Sequence, residues 1–179
     1  MKIEREKPCF GQLLSQRGQF ELSGSFELAS TPVHLAIGNG NDFFYSPLFI
    51  GNERIVIEEN IEDFPFDLQT EGSAYDGLRY DFGQLEKDLI VQRDEHLAEM
   101  FSLRVQGKWN DSLENAYWGR SGPFGKIRTL DIELDKIREE FIDDNINSYY
   151  TLCLFGVCKT EYPGPKIINL IEKLDPELN

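Results

Sequence analysis

The stretch that decides the fold class is LRYDFGQLEKDLIVQRDEHLAEMFSLRV, residues 78–105. Apolar residues alternate at both of its ends, at positions 78, 80 and 82 and again at 101, 103 and 105, which indicates strands. Between these ends lies one helical face, made of Leu85, Leu89, His96 and Met100. Residues 89–91 also fit a short buried strand, so helix and strand both stay open for residues 85–100, with the helix preferred.

The chain before this stretch shows β patterning. Apolar residues alternate at positions 20–28 and at 33–37, and residues 38–42 (GNGND) predict a turn. Residues 43–50 then form an aromatic strand that Pro47 interrupts, which indicates an edge strand or a bulge. Another strand is expected to begin at residues 54–57.

The chain after it combines strands and helices. Residues 126–132 and 149–159 predict strands, and the second of these is the most apolar run of the chain. A helix is predicted from Leu134 to about Ile146, and a last helix from Pro165 to Leu174. We therefore predict an α+β fold, with a β-rich antiparallel sheet or sandwich and two or three helices, in one globular domain of residues 1–179.

The charge of the chain excludes some classes of partner. The 179 residues include 32 acidic and 18 basic ones, for a net charge of −14 and a pI near 4.5. Binding to nucleic acid through bulk positive charge is excluded, and binding to an anionic membrane surface is not expected. Neither a secretory signal nor a membrane span is apparent, which predicts a soluble cytoplasmic protein.

Two segments carry most of the acidic excess. Residues 55–78 hold seven acidic residues and no basic one, net −7, and include aromatic side chains that disordered acidic tails lack. The predicted partner-binding residues of this segment are Glu58, Glu59, Glu62, Asp63, Phe64, Phe66 and Asp67. Residues 131–147 hold seven acidic and two basic residues, net −5, and the predicted contacts there are Asp135, Glu139 and Asp143. Their spacing of four aligns these three residues on one exposed helix face as an unpaired acidic stripe.

Residues 109–128 offer a different kind of site. They combine aromatic side chains, cations and several glycines, which together suit a sugar, an anion or a peptide. The candidate ligand-binding residues are Trp109, Tyr117, Trp118, Arg120 and Lys126. The competing interpretation is a long hairpin loop whose aromatic side chains pack on the sheet.

No motif indicates a cofactor, a metal ion or a catalytic site. The glycines at residues 38–42 and 119–126 lack the spacing of dinucleotide and phosphate loops. The two histidines, His34 and His96, have no zinc-ligand spacing. With three cysteines, a disulfide framework is not expected. An enzyme is not predicted, although a catalytic site assembled only in space stays open.

Two functions from different classes follow from these patterns. In size, acidity and lack of a catalytic motif the chain is similar to bacterial immunity proteins and antitoxins that block nuclease toxins, and to phage proteins that mimic the charge of DNA. This similarity of composition predicts an inhibitor that binds a basic protein, such as a toxin domain, without nucleic acid, membrane or cofactor. The alternative is a small-molecule or carbohydrate-binding β-domain, with or without enzyme activity, whose site lies at residues 109–128.

Overall fold

The computed structural model describes residues 30–39, 42–58, 60, 64–120, 122–158 and 164–174. Within those residues the chain forms one two-stranded sheet and five helices: β1 (Ser30–Asn39), β2 (Asp42–Gly51), α1 (Gly77–Val105), α2 (Asp111–Trp118), α3 (Lys126–Asp144), α4 (Tyr149–Cys158) and α5 (Gly164–Glu172). The predicted β-rich antiparallel sheet or sandwich is wrong, because the described part of the chain is mostly helical.

The hairpin of β1 and β2 is the part of the sheet prediction that the structure confirms. The strands pair antiparallel from Ser30 opposite Gly51 to Asn39 opposite Asp42. Pro47 belongs to this register, and a two-stranded sheet has two free edges, where the missing N–H of proline is tolerated. Residues 40 and 41, within the predicted turn, lie outside the described residues.

The remaining strand predictions of the N-terminal half have different outcomes. The alternating pattern at residues 20–28 lies outside the described residues. The strand expected from residues 54–57 is wrong: that segment makes one isolated bridge, in which Val56 and Glu71 exchange backbone hydrogen bonds of 2.9 and 2.8 Å.

Helix α1 decides the stretch that the sequence left open. It runs without interruption from Gly77 to Val105, so the helix preferred for residues 85–100 is confirmed and the strands expected at both ends are wrong. Its buried side chains are Arg79, Phe82, Glu86 and Met100. Because two of these four are charged, the apolar helical period is weak, and the local alternation dominates the sequence pattern.

A tight connection joins α2 to α3. Asn110 caps α2 by accepting a hydrogen bond of 3.0 Å from the backbone N–H of Leu113. The helix ends at Trp118 and is followed by its C-cap residue Gly119, which has a left-handed φ of 67°. A Cβ atom on Gly119 would lie 2.4 Å from the backbone nitrogen of Gly125, so only glycine fits where the two helices meet.

Helices α3 and α4 correct two further strand predictions. Residues 126–132 form the first turns of α3, so the helix predicted from Leu134 is confirmed but begins at Lys126. The buried residues of α3 lie on one helical face: Ile127, Leu130, Leu134, Phe141 and Ile142. The predicted strand at residues 149–159 is wrong, because Tyr149–Cys158 is α4. The predicted C-terminal helix is confirmed as α5.

An aromatic cluster joins the hairpin to three helices. The ring centroids of Phe82 on α1 and Phe141 on α3 are 4.9 Å apart. Tyr150 on α4 lies 5.4 Å from Phe49 on β2 and 6.2 Å from Phe82. Burial among these rings, with the nearby Glu86 carboxylate, raises the pKa of Tyr150 far above that of an ordinary phenol.

A buried ion pair fixes the start of α1 against the hairpin. Asp76, only 1% exposed, accepts hydrogen bonds from the backbone N–H of Phe49 at 2.7 Å and from Thr70 Oγ1 at 3.1 Å. Arg79 donates two further bonds to Asp76 and one of 2.9 Å to the Leu68 carbonyl. These buried charges are therefore fully compensated, which is the condition for burying them without a large penalty.

Candidate functional site

The described carboxylates of the first acidic segment have different surroundings. Asp67 accepts hydrogen bonds from Lys87 Nζ at 2.6 and 2.7 Å and from Gln84 Nε2 at 3.0 Å, both on α1. The bond from Lys87 lowers the pKa of Asp67 below its ordinary value. Asp76 is in the core, whereas Glu58 is exposed. Folding thus uses two carboxylates of this segment.

The other predicted contacts of this segment are only partly described. Phe64 and Phe66 are half-buried, and the carbonyl of Phe66 accepts a hydrogen bond of 3.0 Å from Gln84 Nε2. Glu59, Glu62 and Asp63 lie outside the described residues. Phe66 and Asp67 are therefore held on the surface of α1, close to each other.

The acidic row of α3, defined as Asp135, Glu139 and Asp143, faces cations of the same chain. Lys166 on α5 and Lys173, directly after α5, contact Glu139 at 2.8 Å and Asp143 at 3.1 Å. Arg138 lies 3.7 Å from Asp135. The sequence predicts an unpaired stripe, which is wrong in this respect, because the C-terminal segment supplies two lysines that are distant in sequence. Whether the row also contacts a partner stays a prediction.

A second row of carboxylates lies on α1, and sequence reasoning missed it. This acidic face of α1 consists of Asp81, Asp88 and Glu95, all exposed. Their spacing of seven residues aligns them along about 21 Å of helix at 1.5 Å per residue. None makes a side-chain hydrogen bond or ion pair to another described residue. The seven-residue spacing is visible in the sequence, but it indicates a face only once residues 77–105 are known to be one helix.

The aromatic and cationic residues at 109–128 contact one another and nearby residues of the same chain. Trp109 lies just before α2, and the others lie in α2, in the connection after it and at the start of α3, so the predicted hairpin loop is wrong. Trp109 Nε1 donates a hydrogen bond of 2.9 Å to Glu114, and Arg120 contacts the same carboxylate at 2.9 Å. The guanidinium of Arg104 lies 4.7 Å from the centroid of the Trp109 ring. The β-domain of the alternative hypothesis is wrong, and its ligand stays untested.

Tyr117 is the centre of this cluster and part of the core. It is 2% exposed and packs with Met100 and Ile127, and Trp118 packs against the same group. Burial and a hydrogen bond to Glu99 raise the pKa of Tyr117 to about 12. Lys126 Nζ lies 5.1 Å from the centroid of the Tyr117 ring and 3.6 Å from Glu99. Packing and charge pairing within the chain therefore explain why aromatic and cationic residues occur together here.

An open groove of about 400 Å³ lies between α1 and α3. It is lined by two apolar and five charged side chains: Ile90, Arg93, Arg128, Asp131, Leu134, Asp135 and Arg138. Arg93 contacts Asp131 at 2.6 Å, and Arg138 contacts the buried Glu86 at 2.7 Å. An anionic ligand at Arg93 or Arg138 would have to displace the carboxylates that already hold these two guanidinium groups.

Two kinds of site do not occur among the residues that the structure describes. No group of three His, Cys, Asp or Glu side chains there is arranged to hold a metal ion. In the same residues, none of the helices has the length and the apolar composition needed to span a membrane.

Comparisons with known proteins identify no relative. No protein-family model, no curated protein and no solved structure matches this chain.

Proposed function

We propose that this chain is an acidic binding protein that neutralises a basic protein partner, as immunity proteins and antitoxins do, and that the acidic face of α1 makes the contact. The observation that carries the proposal is that Asp81, Asp88 and Glu95 are exposed and have no ion-pair partner among the described residues. Carboxylates that form no ion pair with a cation of the described residues are available to a cation of a partner.

The net charge supports the same class of partner. At −14, the chain produces a field that attracts a basic protein and speeds its diffusional encounter. Salt screens such fields over a Debye length of about 10 Å at 0.1 M. The association is therefore expected to slow as salt is added.

The contacts predicted from the sequence contribute less in this proposal. Asp67, Glu139 and Asp143 each contact a lysine of the chain already. A basic partner would have to compete with these lysines, so the exchange would yield little net free energy. Glu58, which is exposed, contacts no lysine among the residues that the structure describes.

Capture of the partner with matched variants tests the proposal. The α1 triple variant carries D81N, D88N and E95Q, and the α3 triple variant carries D135N, E139Q and D143N. Each removes three negative charges from one helix, so the two have the same net charge. Tagged full-length protein and both variants are incubated with host extract at low salt, and retained proteins are identified by mass spectrometry.

We expect the wild type and the α3 triple variant to retain the same basic protein and the α1 triple variant to lose most of it. Inhibition of the captured protein's toxic activity by the wild type then tests the immunity role. Equal retention by all three proteins, or capture of an acidic partner, would contradict the proposal.

A further inference from the structure

A row of apolar side chains on α1 is open to solvent. Phe101 is 56% exposed, Val105 90% and Val91 43%, and Ala98 is exposed between them. Together with the exposed Asp94, these residues occupy positions 91, 94, 98, 101 and 105, which we call the apolar seam. Single exposed apolar residues are ordinary, but an aligned row on one helix is a common feature of interaction surfaces.

The spacing of the seam is that of a coiled-coil contact. Its positions alternate by three and four residues, the pattern that keeps one narrow row facing a second helix. The same spacing extends backward from position 91 to position 87. Asp88 and Glu95 directly follow positions 87 and 94, so these two residues of the acidic face of α1 lie along one side of the seam. The seam therefore combines an apolar centre with one acidic flank.

The protein's own chain covers the same line of α1 closer to its N-terminus. The pattern continues backward to Gln84 and Lys87, whose side chains hold the carbonyl of Phe66 at 3.0 Å and the carboxylate of Asp67 at 2.6 Å. From Val91 onward the seam residues are partly or largely exposed. One face of α1 thus holds a segment of the described chain in its first half and is exposed in its second.

We propose that the apolar seam docks an amphipathic helix of the basic partner, with lysine or arginine residues of that helix against Asp88 and Glu95. This inference rests on the proposed function and names the part of the partner that binds. Binding by strand addition is excluded, because α1 uses its backbone donors and acceptors within the helix.

Charge complementarity favours this partner over a second copy of the chain. In a parallel pair of α1 helices, Asp94 would face its own equivalent in the seam. In an antiparallel pair, the flanks that carry Asp88 and Glu95 would meet each other. Either arrangement brings like charges together, and two chains of net charge −14 repel at longer range as well.

Synthetic peptides test the seam on the full-length chain. The probe is a peptide of about three heptads with isoleucine and leucine at the core positions, apart from one central core lysine that can pair with Asp94, and with lysine and arginine at the flanking positions. The comparison peptides are a scrambled basic peptide of the same composition and a heptad peptide with glutamate on its flanks. Fluorescence anisotropy of labelled peptide measures the Kd, and sedimentation of the free protein measures its oligomeric state.

Two double variants separate the seam from other exposed apolar residues. The seam variant carries F101S and V105S, and the control carries I168S and I171S, which change exposed residues of α5 (59% and 47%). We expect the basic heptad peptide to bind at least about tenfold tighter than the scrambled one. The seam variant should lose about tenfold in affinity, and the control should lose none. Circular dichroism checks that both variants keep their helices.

The α1 triple variant separates this inference from the proposed function. Loss of peptide binding in both the seam variant and the α1 triple variant supports the docking site. Loss in the α1 triple variant alone overturns the seam and leaves the proposed function in place. Loss in the seam variant alone, or equal binding of the acidic peptide, overturns the basic partner and the proposed function with it. A stable dimer of the free protein overturns the partner helix in favour of a second copy.

Discussion

The carboxylates of α1 and those of α3 form two evenly spaced rows in opposite surroundings. On α3, Glu139 contacts Lys166 of α5 at 2.8 Å, and Asp143 contacts Lys173, directly after α5, at 3.1 Å. On α1, the row is exposed and has no such cation among the described residues. The difference teaches that an acidic count does not show which charges are free. A charge that a lysine of the chain contacts belongs to the fold, whereas an exposed one without such a contact is open to a partner.

The largest expected effect concerns a carboxylate that the fold uses completely. Asp76→Ala leaves Arg79 buried without its counter-ion and the backbone N–H of Phe49 without its acceptor. We expect the free energy of unfolding to fall by about 3–5 kcal/mol, measured by urea denaturation. The matched control is Asp81→Ala, five residues further along, which should unfold near the wild type. Equal destabilisation by both variants would break the distinction between structural and free carboxylates.

A smaller loss is expected at the pair between α1 and α3. Arg138→Met removes the cation that contacts the buried Glu86 at 2.7 Å. Because Arg138 is itself partly exposed, we expect a loss of about 2 kcal/mol, below that of a fully buried pair. The double variant that also carries Glu86→Gln should recover part of this loss, since it leaves no unpaired buried charge at position 86. A single variant as stable as the wild type would show that the pair does not hold the two helices.

The same pair predicts a dependence of stability on pH. Burial raises the pKa of Glu86 above its ordinary value of 4.5, and Arg138 opposes this increase. The folded state therefore favours the neutral carboxyl, whose contribution is complete below pH 4.5 and is lost as pH rises through the raised pKa. Arg138→Met should extend this loss to higher pH, and Glu86→Gln should abolish it. Urea midpoints across this range test the sign; an unchanged pH profile in Glu86→Gln would contradict it.

Neutralising the acidic row of α3 should cost less again. The α3 triple variant removes exposed ion pairs to α5, and it also relieves repulsion within the row. We expect a net loss of at most about 1 kcal/mol, which disappears at high salt because exposed pairs are screened. Thermal unfolding at low and high salt measures this difference. A loss that persists at high salt would mean that these residues hold α5 by something other than charge.

The smallest effect on stability is expected on α1. The α1 triple variant breaks no ion pair of the described chain, so its free energy of unfolding should stay within about 0.5 kcal/mol of the wild type. Urea denaturation of the wild type and both triple variants measures the three free energies of unfolding. Destabilisation of the α1 triple variant by more than the α3 triple variant would show that the α1 carboxylates serve the fold.

Parts of this fold follow directly from sequence patterns. The hairpin is predicted because residues 33–37 alternate and a glycine-rich turn separates them from an aromatic strand. The C-terminal helix and the second half of α3 are predicted because their apolar residues keep the helical period. In each case the buried face is apolar and the other face polar, which is the condition under which periodicity reports structure.

The other elements could not be assigned because their periodicity is weak. Helix α4 is apolar on nearly all sides, and such a run does not distinguish a buried helix from a buried strand. Helix α1 buries Arg79 and Glu86, so its inner face does not appear apolar in the sequence. Their partners, Asp76 and Arg138, are known only from the fold. The pairing of Glu139 with Lys166 has the same origin, since 27 positions separate them.

The most direct test of the central claim is the salt dependence of association with the captured basic partner. Stopped-flow rates are measured for the wild type and both triple variants between about 50 and about 300 mM salt. We predict that the rates of the wild type and the α3 triple variant fall steeply, and that the α1 triple variant associates about tenfold more slowly at low salt with a flatter dependence. Identical rates and slopes for the two triple variants would contradict the claim that the free carboxylates of α1 recognise the partner.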